Sequence, residues 1–276
     1  MKRAIFILSQ KGGSGKTTFS RALLDHLRHG RGMAVAAFDA DGTVGQLLQY
    51  YGSRDAGGGQ VLPQDPLTGV GVFNLRRREE RGMVVDALDL GADTLLFDFP
   101  AGCLDDLGRV VGEAGVGALL DEYDREGVRV TVAVVLSNVQ SSAGNVLSAM
   151  DVFRDRVDYV AVKNLFYGKP EDFLFFDGFT GADGQFYGGQ ALAALIRQGG
   201  KVVAMPALPG REYALCDMYC LGFSKALSHP ALRRSERGAI AYFLREFGTS
   251  VGGAAPFFGY DTSGVNPVFP AGWPRS

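Results

Sequence analysis

Gln10-Lys11-Gly12-Gly13-Ser14-Gly15-Lys16-Thr17-Thr18 sits between an apolar run, Ala4 to Leu8, and a set of apolar residues, Phe19, Ala22, Leu23 and Leu27, at helical spacing. A buried strand, a glycine-rich turn and a helix in that order are the context of a phosphate-binding loop. Gly12, Gly13 and Gly15 let the backbone curl so that several N–H groups face one anion. A helix opening at Lys16 adds unpaired N–H groups and the positive end of its dipole. Lys16 has the reach to meet β- and γ-phosphates, and Thr17 carries a hydroxyl that can ligate Mg²⁺. The spacing G-x-x-x-x-G-K-[ST] would place its first glycine at residue 10, where the chain has Gln10. A second lysine, Lys11, and two glycines follow instead.

Working outward, Met33 to Phe38 predicts a second buried strand, ending in Asp39-Ala40-Asp41-Gly42. Carboxylates at the carboxyl end of such a strand project into the crevice where open α/β sheets bind ligands. An Asp before the helical-looking run Thr43 to Tyr51 also suits a helix N-cap, and the residues alone leave both readings open. Thr94 to Phe97 predicts a third strand, which ends in Asp98-Phe99-Pro100-Ala101-Gly102; a strand-end Asp there can hold Mg²⁺. Further strands are expected at Val70–Leu75, Arg129–Leu136, Asp158–Val162 and Lys201–Ala204. Helices are expected at Lys16–His29, from the charge run at Arg76–Arg81 to Gly91, and at Asp105–Tyr123, Gln140–Phe153 and Arg211–Leu227, with another starting at Ser228-His229-Pro230. This alternation predicts a doubly wound α/β domain with a mostly parallel sheet and helices on both faces. Domain 1–248 would carry the site, with an aromatic-rich insertion at 165–187, and 249–276 would form a Gly/Pro/aromatic tail.

The form K-G-G-x-G-K-T resembles the deviant Walker A loop of the ParA/MinD family of P-loop ATPases, the partition branch more than the membrane-associated one. The resemblance covers roughly residues 1 to 248 and is specific at the nucleotide site. It implies ATP and Mg²⁺ as ligands, slow hydrolysis, and an ATP-dependent homodimer in which Lys11 crosses to the partner's nucleotide. Gly12, Gly13, Ser14, Gly15, Lys16, Thr17 and Thr18 would surround the phosphates. The family's D-x-D matches Asp39 and Asp41, so Asp41 would position the attacking water and Asp39 would sit in the Mg²⁺ water shell. Its D-x-P-x-G matches Asp98, Pro100 and Gly102 position for position, which places Asp98 with Thr17 at the metal. Asn164, at the end of a strand, would recognise adenine, or is an ordinary turn Asn; Pro206 follows a strand as the family's base-pocket proline does.

Bulk properties bound the partners. A net charge of −2 excludes a global field for nucleic acid, so a DNA contact would have to be local. Arg233, Arg234 and Arg237 are the candidate patch, and a solvated helix face explains them equally. Three cysteines, Cys103, Cys216 and Cys220, are too few and too scattered for a disulfide scaffold. No apolar run approaches membrane-spanning length and the N-terminus does not resemble a signal peptide, so a cytoplasmic protein with no membrane contact is expected. The aromatics of 165–187 are either a lid on their own domain or a dimer or partner surface, and an adaptor protein that stimulates the ATPase is a further expected partner.

Overall fold

In the computed structural model, which describes residues 2–10, 12–42, 45–55, 58–60, 63–112 and 115–262, the first strand is also the central one. Lys11, Thr43, Gly57 and residues 263–276 with Trp273 lie outside the described residues. In chain order the elements are β1 (Arg3–Leu8), α1 (Lys16–Asp25), β2 (Val35–Asp39), α2 (Leu47–Tyr51), β3 (Gly71–Val72), α3 (Met83–Asp86) and β4 (Thr94–Asp98). Next come α4 (Leu104–Leu107), α5 (Gly115–Arg125), β5 (Arg129–Leu136), α6 (Gln140–Phe153) and β6 (Asp158–Asn164). The last third holds α7 (Leu174–Asp177), a hairpin β7 (Phe179–Thr180) and β8 (Phe186–Tyr187), then α8 (Gln190–Arg197), β9 (Lys201–Met205), α9 (Gly210–Met218), α10 (Phe223–Ala226) and α11 (Arg234–Gly252).

Seven strands form one parallel sheet in the order β3-β2-β4-β1-β5-β6-β9. Both faces are covered, which is why β1, β2 and β4 are buried along their whole length and read as continuous apolar runs. Alternate residues still feed different cores. Phe6, Phe38 and Phe97 point to one face, where the Phe38 and Phe97 rings stack at 4.9 Å and Phe99 stacks on Phe97 at 5.5 Å. Ile5, Ile7, Ala37 and Leu96 point to the other, against Phe19 of α1 and Phe243 and Phe247 of α11. Burying one such ring contributes about 2–3 kcal/mol before entropy is counted.

Several expected boundaries are corrected. The expected helix to His29 is α1 only as far as Asp25, after which the chain widens into a π-type turn over His26–Gly30. The run Arg76–Arg81 is turn, not helix; the helix begins at Met83 and tightens to 3₁₀ geometry at Ala87–Leu90 before Gly91, at φ 63°, ends it. The expected helix 105–123 is two helices, with Gly108 following the first and Gly115 opening the second. Helix 211–227 is likewise broken, at Tyr219–Gly222. The helix expected from Ser228 starts instead at Arg234, where the Glu236 carboxylate accepts from the Arg233 N–H at 2.8 Å. The expected elements did not include α8, which buries only Ala191 and Leu195 among its residues. The boundary at 248 also moves. α11 runs unbroken to Gly252, and Phe258, completely buried, packs on Phe19 at 6.3 Å. The packed unit thus includes the first part of the expected tail.

Candidate functional site

Parallel strands end at one edge of the sheet, so their carboxyl ends gather side chains far apart in sequence. Register places Ile7, Asp98 and Asp39 side by side on β1, β4 and β2. The loop after β1 curls over this edge. Gly13 and Gly15 adopt φ of 79° and 88°, the left-handed region that glycine enters without a steric cost. Gly15 has a second reason to lack a side chain: a Cβ there would lie 2.2 Å from the Asn164 amide nitrogen. α1 then opens at Lys16, where its first N–H groups have no partner within the helix, and Lys16 to Thr18 line the cleft.

The cleft has a volume of about 580 Å³ and is lined by Gly12 to Thr18, Asp41, Gln46, Ala101, Asn164, Phe166, Tyr167, Met205, Pro206, Leu208, Gly210 and Tyr213. The lining combines the polar loop with aromatic and aliphatic carbon from Phe166, Tyr167, Met205, Pro206, Leu208 and Tyr213. A phosphate chain suits the first and a flat heterocycle the second. Expected positions Gly12 to Thr18, Asp41, Asn164 and Pro206 therefore meet in one place.

Charges are arranged around the loop. The Lys16 ammonium pairs with the Asp98 carboxylate at 3.1 Å, both largely buried. Asp39 is buried beside Asp98. Its carboxylate accepts from the Leu47 N–H at 2.8 Å and weakly from those of Leu48 and Asp41 at 3.4 and 3.3 Å. Asp39 thus fastens the start of α2 to the sheet edge. Burial, with the Asp98 charge next to it, pushes its pKa up to about 7. Gly45 permits this: a Cβ at residue 45 would fall 1.8 Å from an Asp39 carboxylate oxygen. Asp41 is half-exposed and turned to the cleft, where the Arg76 guanidinium approaches it at 3.9 Å. Cys103 is buried behind the Asp98 loop, and burial pushes its thiol up to about 12, which excludes a reactive thiolate.

Thr17, Asp98 and Asp39 supply only oxygen, with two carboxylates, which is the donor chemistry of Mg²⁺. Among the described residues no group of three or more His, Cys, Asp and Glu side chains is placed to hold a metal.

Asn164 ends β6 with both ends of its amide engaged. Its Nδ2 donates to the Ser14 carbonyl at 2.8 Å, and its Oδ1 accepts from the Phe166 N–H at 3.1 Å. It ties the loop to the sheet. Arg233 and Arg234 are exposed and Arg237 is half-buried, all at the start of α11 and outside the cleft lining.

Four contributors were missed in the sequence. Tyr167 donates its hydroxyl to the Gly13 carbonyl, and its own carbonyl accepts from Asn138 Nδ2 at 2.7 Å. Tyr213 lines the cleft with its hydroxyl 3.4 Å from that of Thr18. Gly45 and Arg76 complete the set. No periodicity marks such residues, because each reaches the site by a fold-back contact; Arg76 in particular lay in a mixed charge run that reads as solvated surface.

The insertion 165–187 is divided. Phe173 and Phe176 are buried, and Lys163 at the end of β6 reaches across to Asp177 at 2.6 Å and to the Pro170 carbonyl at 2.9 Å. Phe166 and Phe186 remain 68% and 67% exposed.

Residues 5–99 match a family model described as the CobQ/CobB/MinD/ParA nucleotide binding domain. No curated protein sequence matches the chain. Among solved structures, a ParA family ATPase from Chlorobium tepidum TLS is similar in fold, with TM-score 0.50, 11% identity, and 88% of this chain and 99% of that chain covered. An Archaeoglobus fulgidus nucleotide-binding protein in complex with ADP has TM-score 0.43 and 18% identity over 80% of this chain and 88% of its own. A Cyanothece McdA variant in complex with ATP has TM-score 0.45 and 12% identity over 88% of this chain and 96% of its own. No helix among the described residues is long and apolar enough to cross a membrane. The segment that matches the CobQ/CobB/MinD/ParA nucleotide binding domain contains the loop, Asp39, Asp41 and Asp98, set on the parallel sheet that such a site requires.

Proposed function

We propose that the protein is an ATP-dependent dimerising switch, in which two copies close over bound ATP and hydrolysis resets them. The observation that carries the reading is the loop itself: two left-handed glycines and a helix N-terminus around a cleft, with Lys16 held 3.1 Å from Asp98. The backbone N–H groups of Gly12 to Thr18 would cradle the phosphates, and Lys16 would leave Asp98 for the β- and γ-phosphates. Mg²⁺, when bound, screens phosphate charge; Thr17 and Asp98 would hold it, with Asp39 in its water shell. Asp41 would direct the attacking water and Lys11 would reach the partner's phosphates, roles that the resemblance to the deviant Walker A family implies. Cross-subunit charge of this kind stabilises the transition state where negative charge develops. Asn164 and Pro206 border the base end.

In this reading the dimer positions a plasmid or other cargo on DNA, with an adaptor protein triggering hydrolysis. The exposed guanidinium groups of Arg233 and Arg234 at the start of α11 support a local DNA contact, with Arg237 beside them. Such binding should need ATP and weaken steeply with salt. Sedimentation with ATP, ADP or no nucleotide, for the wild type and Lys11→Ala, tests the switch. The expected result is a dimer with ATP alone, absent in the variant; a monomer under all three conditions overturns the reading. A second reading, a delivery ATPase that docks a protein and binds no DNA, draws support from the exposed Phe166 and Phe186. DNA binding that is absent at low salt, together with partner capture lost on Phe186→Ser, would favour it.

A further inference from the structure

We propose that Arg76 is a positioning residue that yokes the two segments bordering the phosphate cleft and sets the direction of the Asp41 carboxylate. The proposal rests on the ATPase reading above. The backbone leading to Arg76 is fixed against the segment that carries Asp41. Phe73 donates to the Asp39 carbonyl at 3.1 Å, Gly42 to the Phe73 carbonyl at 3.0 Å, and Leu75 to the Ala40 carbonyl at 3.1 Å. Asp41 and Asn74 thereby face each other as a bridge pair. The Asn74 side chain then accepts from the Arg76 N–H at 3.0 Å, which anchors the arginine's own backbone.

From that anchor the guanidinium divides its contacts. Nη2 donates to the Ala101 carbonyl at 2.9 Å, Nη1 lies 3.9 Å from Asp41 Oδ1, and Nε lies 4.0 Å from Asp106 Oδ2. Asp41 and Ala101 both line the cleft, one from the β2 end and one from the Asp98-Phe99-Pro100-Ala101-Gly102 turn. A planar fork with five donors can serve a carbonyl and two carboxylates in different directions; a lysine ammonium cannot do so from the same stem. The side chain is 55% exposed, so these contacts contribute little to folding stability. What they fix is geometry: the carboxylate that directs the water and the turn that follows the metal-side Asp98 are held at one spacing. The guanidinium of Arg77, the next residue, pairs with Glu80 at 3.1 Å and makes no hydrogen bond or ion pair to Asp41 or Ala101.

The test compares full-length wild type, Arg76→Ala, Arg76→Lys and Arg77→Ala in steady-state ATP hydrolysis and in amide hydrogen exchange without nucleotide. Loss of an orienting group away from the bond being broken is expected to lower kcat at least about 10-fold in Arg76→Ala while KM changes less than about 3-fold. Exchange should rise together around Asp41 and around Ala101, with the melting temperature unchanged. Arg76→Lys should recover only part of kcat, and Arg77→Ala should match the wild type. Turnover within about 2-fold of wild type in Arg76→Ala, or exchange that rises in one segment alone, overturns the proposal. A wild type without ATP turnover sinks the ATPase reading instead, and the exchange result still decides whether Arg76 joins the two segments.

Discussion

At the scale of single residues, the site depends on atoms that are missing as much as on those present. Gly15 sits at φ 88° with the Asn164 amide where a Cβ would be, so two constraints coincide on one position. Gly15→Ala is expected to destabilise the protein by about 2 kcal/mol through strain and displacement of Asn164. It should also weaken Mg·ADP binding at least about tenfold, since about 1.4 kcal/mol lost at the loop is a factor of ten. Chemical denaturation and calorimetric titration check the two effects; wild-type affinity in a folded variant would show that the loop does not need this conformation. The glycines, Lys16, Thr17 and the strand-end carboxylates were legible in the sequence because each follows directly from a strand–turn junction. The duty of Asp39 was not. A D-x-D after a buried strand leaves a metal shell and a helix cap equally open, and only the 2.8 Å contact from the Leu47 N–H shows the carboxylate holding α2.

At the scale of elements, the insertion 165–187 behaves as two parts. α7 and the residue before it bury Phe173 and Phe176 under the ammonium of Lys163, whereas the β7–β8 hairpin carries Phe186 into solvent above Gly178. Phe176→Ala should therefore cost about 3–5 kcal/mol, the loss for emptying a filled ring site. Phe186→Ala should change stability by no more than about 0.5 kcal/mol. Urea denaturation of both variants decides this; equal losses would mean that the hairpin is part of the core. Eight aromatics among Gly, Asp and Pro announce an insertion, but composition does not say which rings face inward. That is settled by where β6 ends and by which rings Lys163 can cover from there. Helix continuity was also hard to read. Apolar spacing runs on through 105–123 and 211–227, while the breaks fall at glycines and at Cys220, whose φ of 50° the sequence does not advertise.

At the scale of the whole molecule, the two ends of the described chain are stitched together behind the sheet. His26 lies in the π-type turn after α1. Its ring packs near Phe247 of α11, and its Nε2 meets the Tyr260 hydroxyl at 3.2 Å and the Arg31 Nε at 3.3 Å. Burial, with the Arg31 charge beside it, holds the imidazole down at about 4. The folded protein therefore keeps His26 neutral where an unfolded chain, with an ordinary value near 6.5, takes up a proton. This linkage removes stability as pH falls from about 6.5 to about 4, in total about 3 kcal/mol, and leaves it untouched above about 7. Asp39 acts with the opposite sign. Its raised pKa favours the folded state below its ordinary value, and that contribution is lost as pH rises through about 7. Comparing wild type with His26→Gln over this range isolates the histidine: the difference in unfolding free energy should change between about pH 6.5 and about pH 4 and stay flat from about 7 to about 8. A parallel pair of curves would show that the imidazole titrates normally in the folded protein.

What the sequence by itself determined is the alternation of the buried sheet strands with helices, the glycine-rich strand–turn–helix and the three strand-end carboxylates, because hydrophobic period and turn chemistry are local properties written residue by residue. The tertiary structure alone decided that Asp39 caps α2, that Tyr167 and Asn164 brace the loop, and that Arg76 spans Asp41 and Ala101. It also decided that Phe258 belongs to the core. Those contacts join residues brought together by parallel strands ending at a common edge and by the chain folding back across it. Their energies depend on distances that no local pattern encodes.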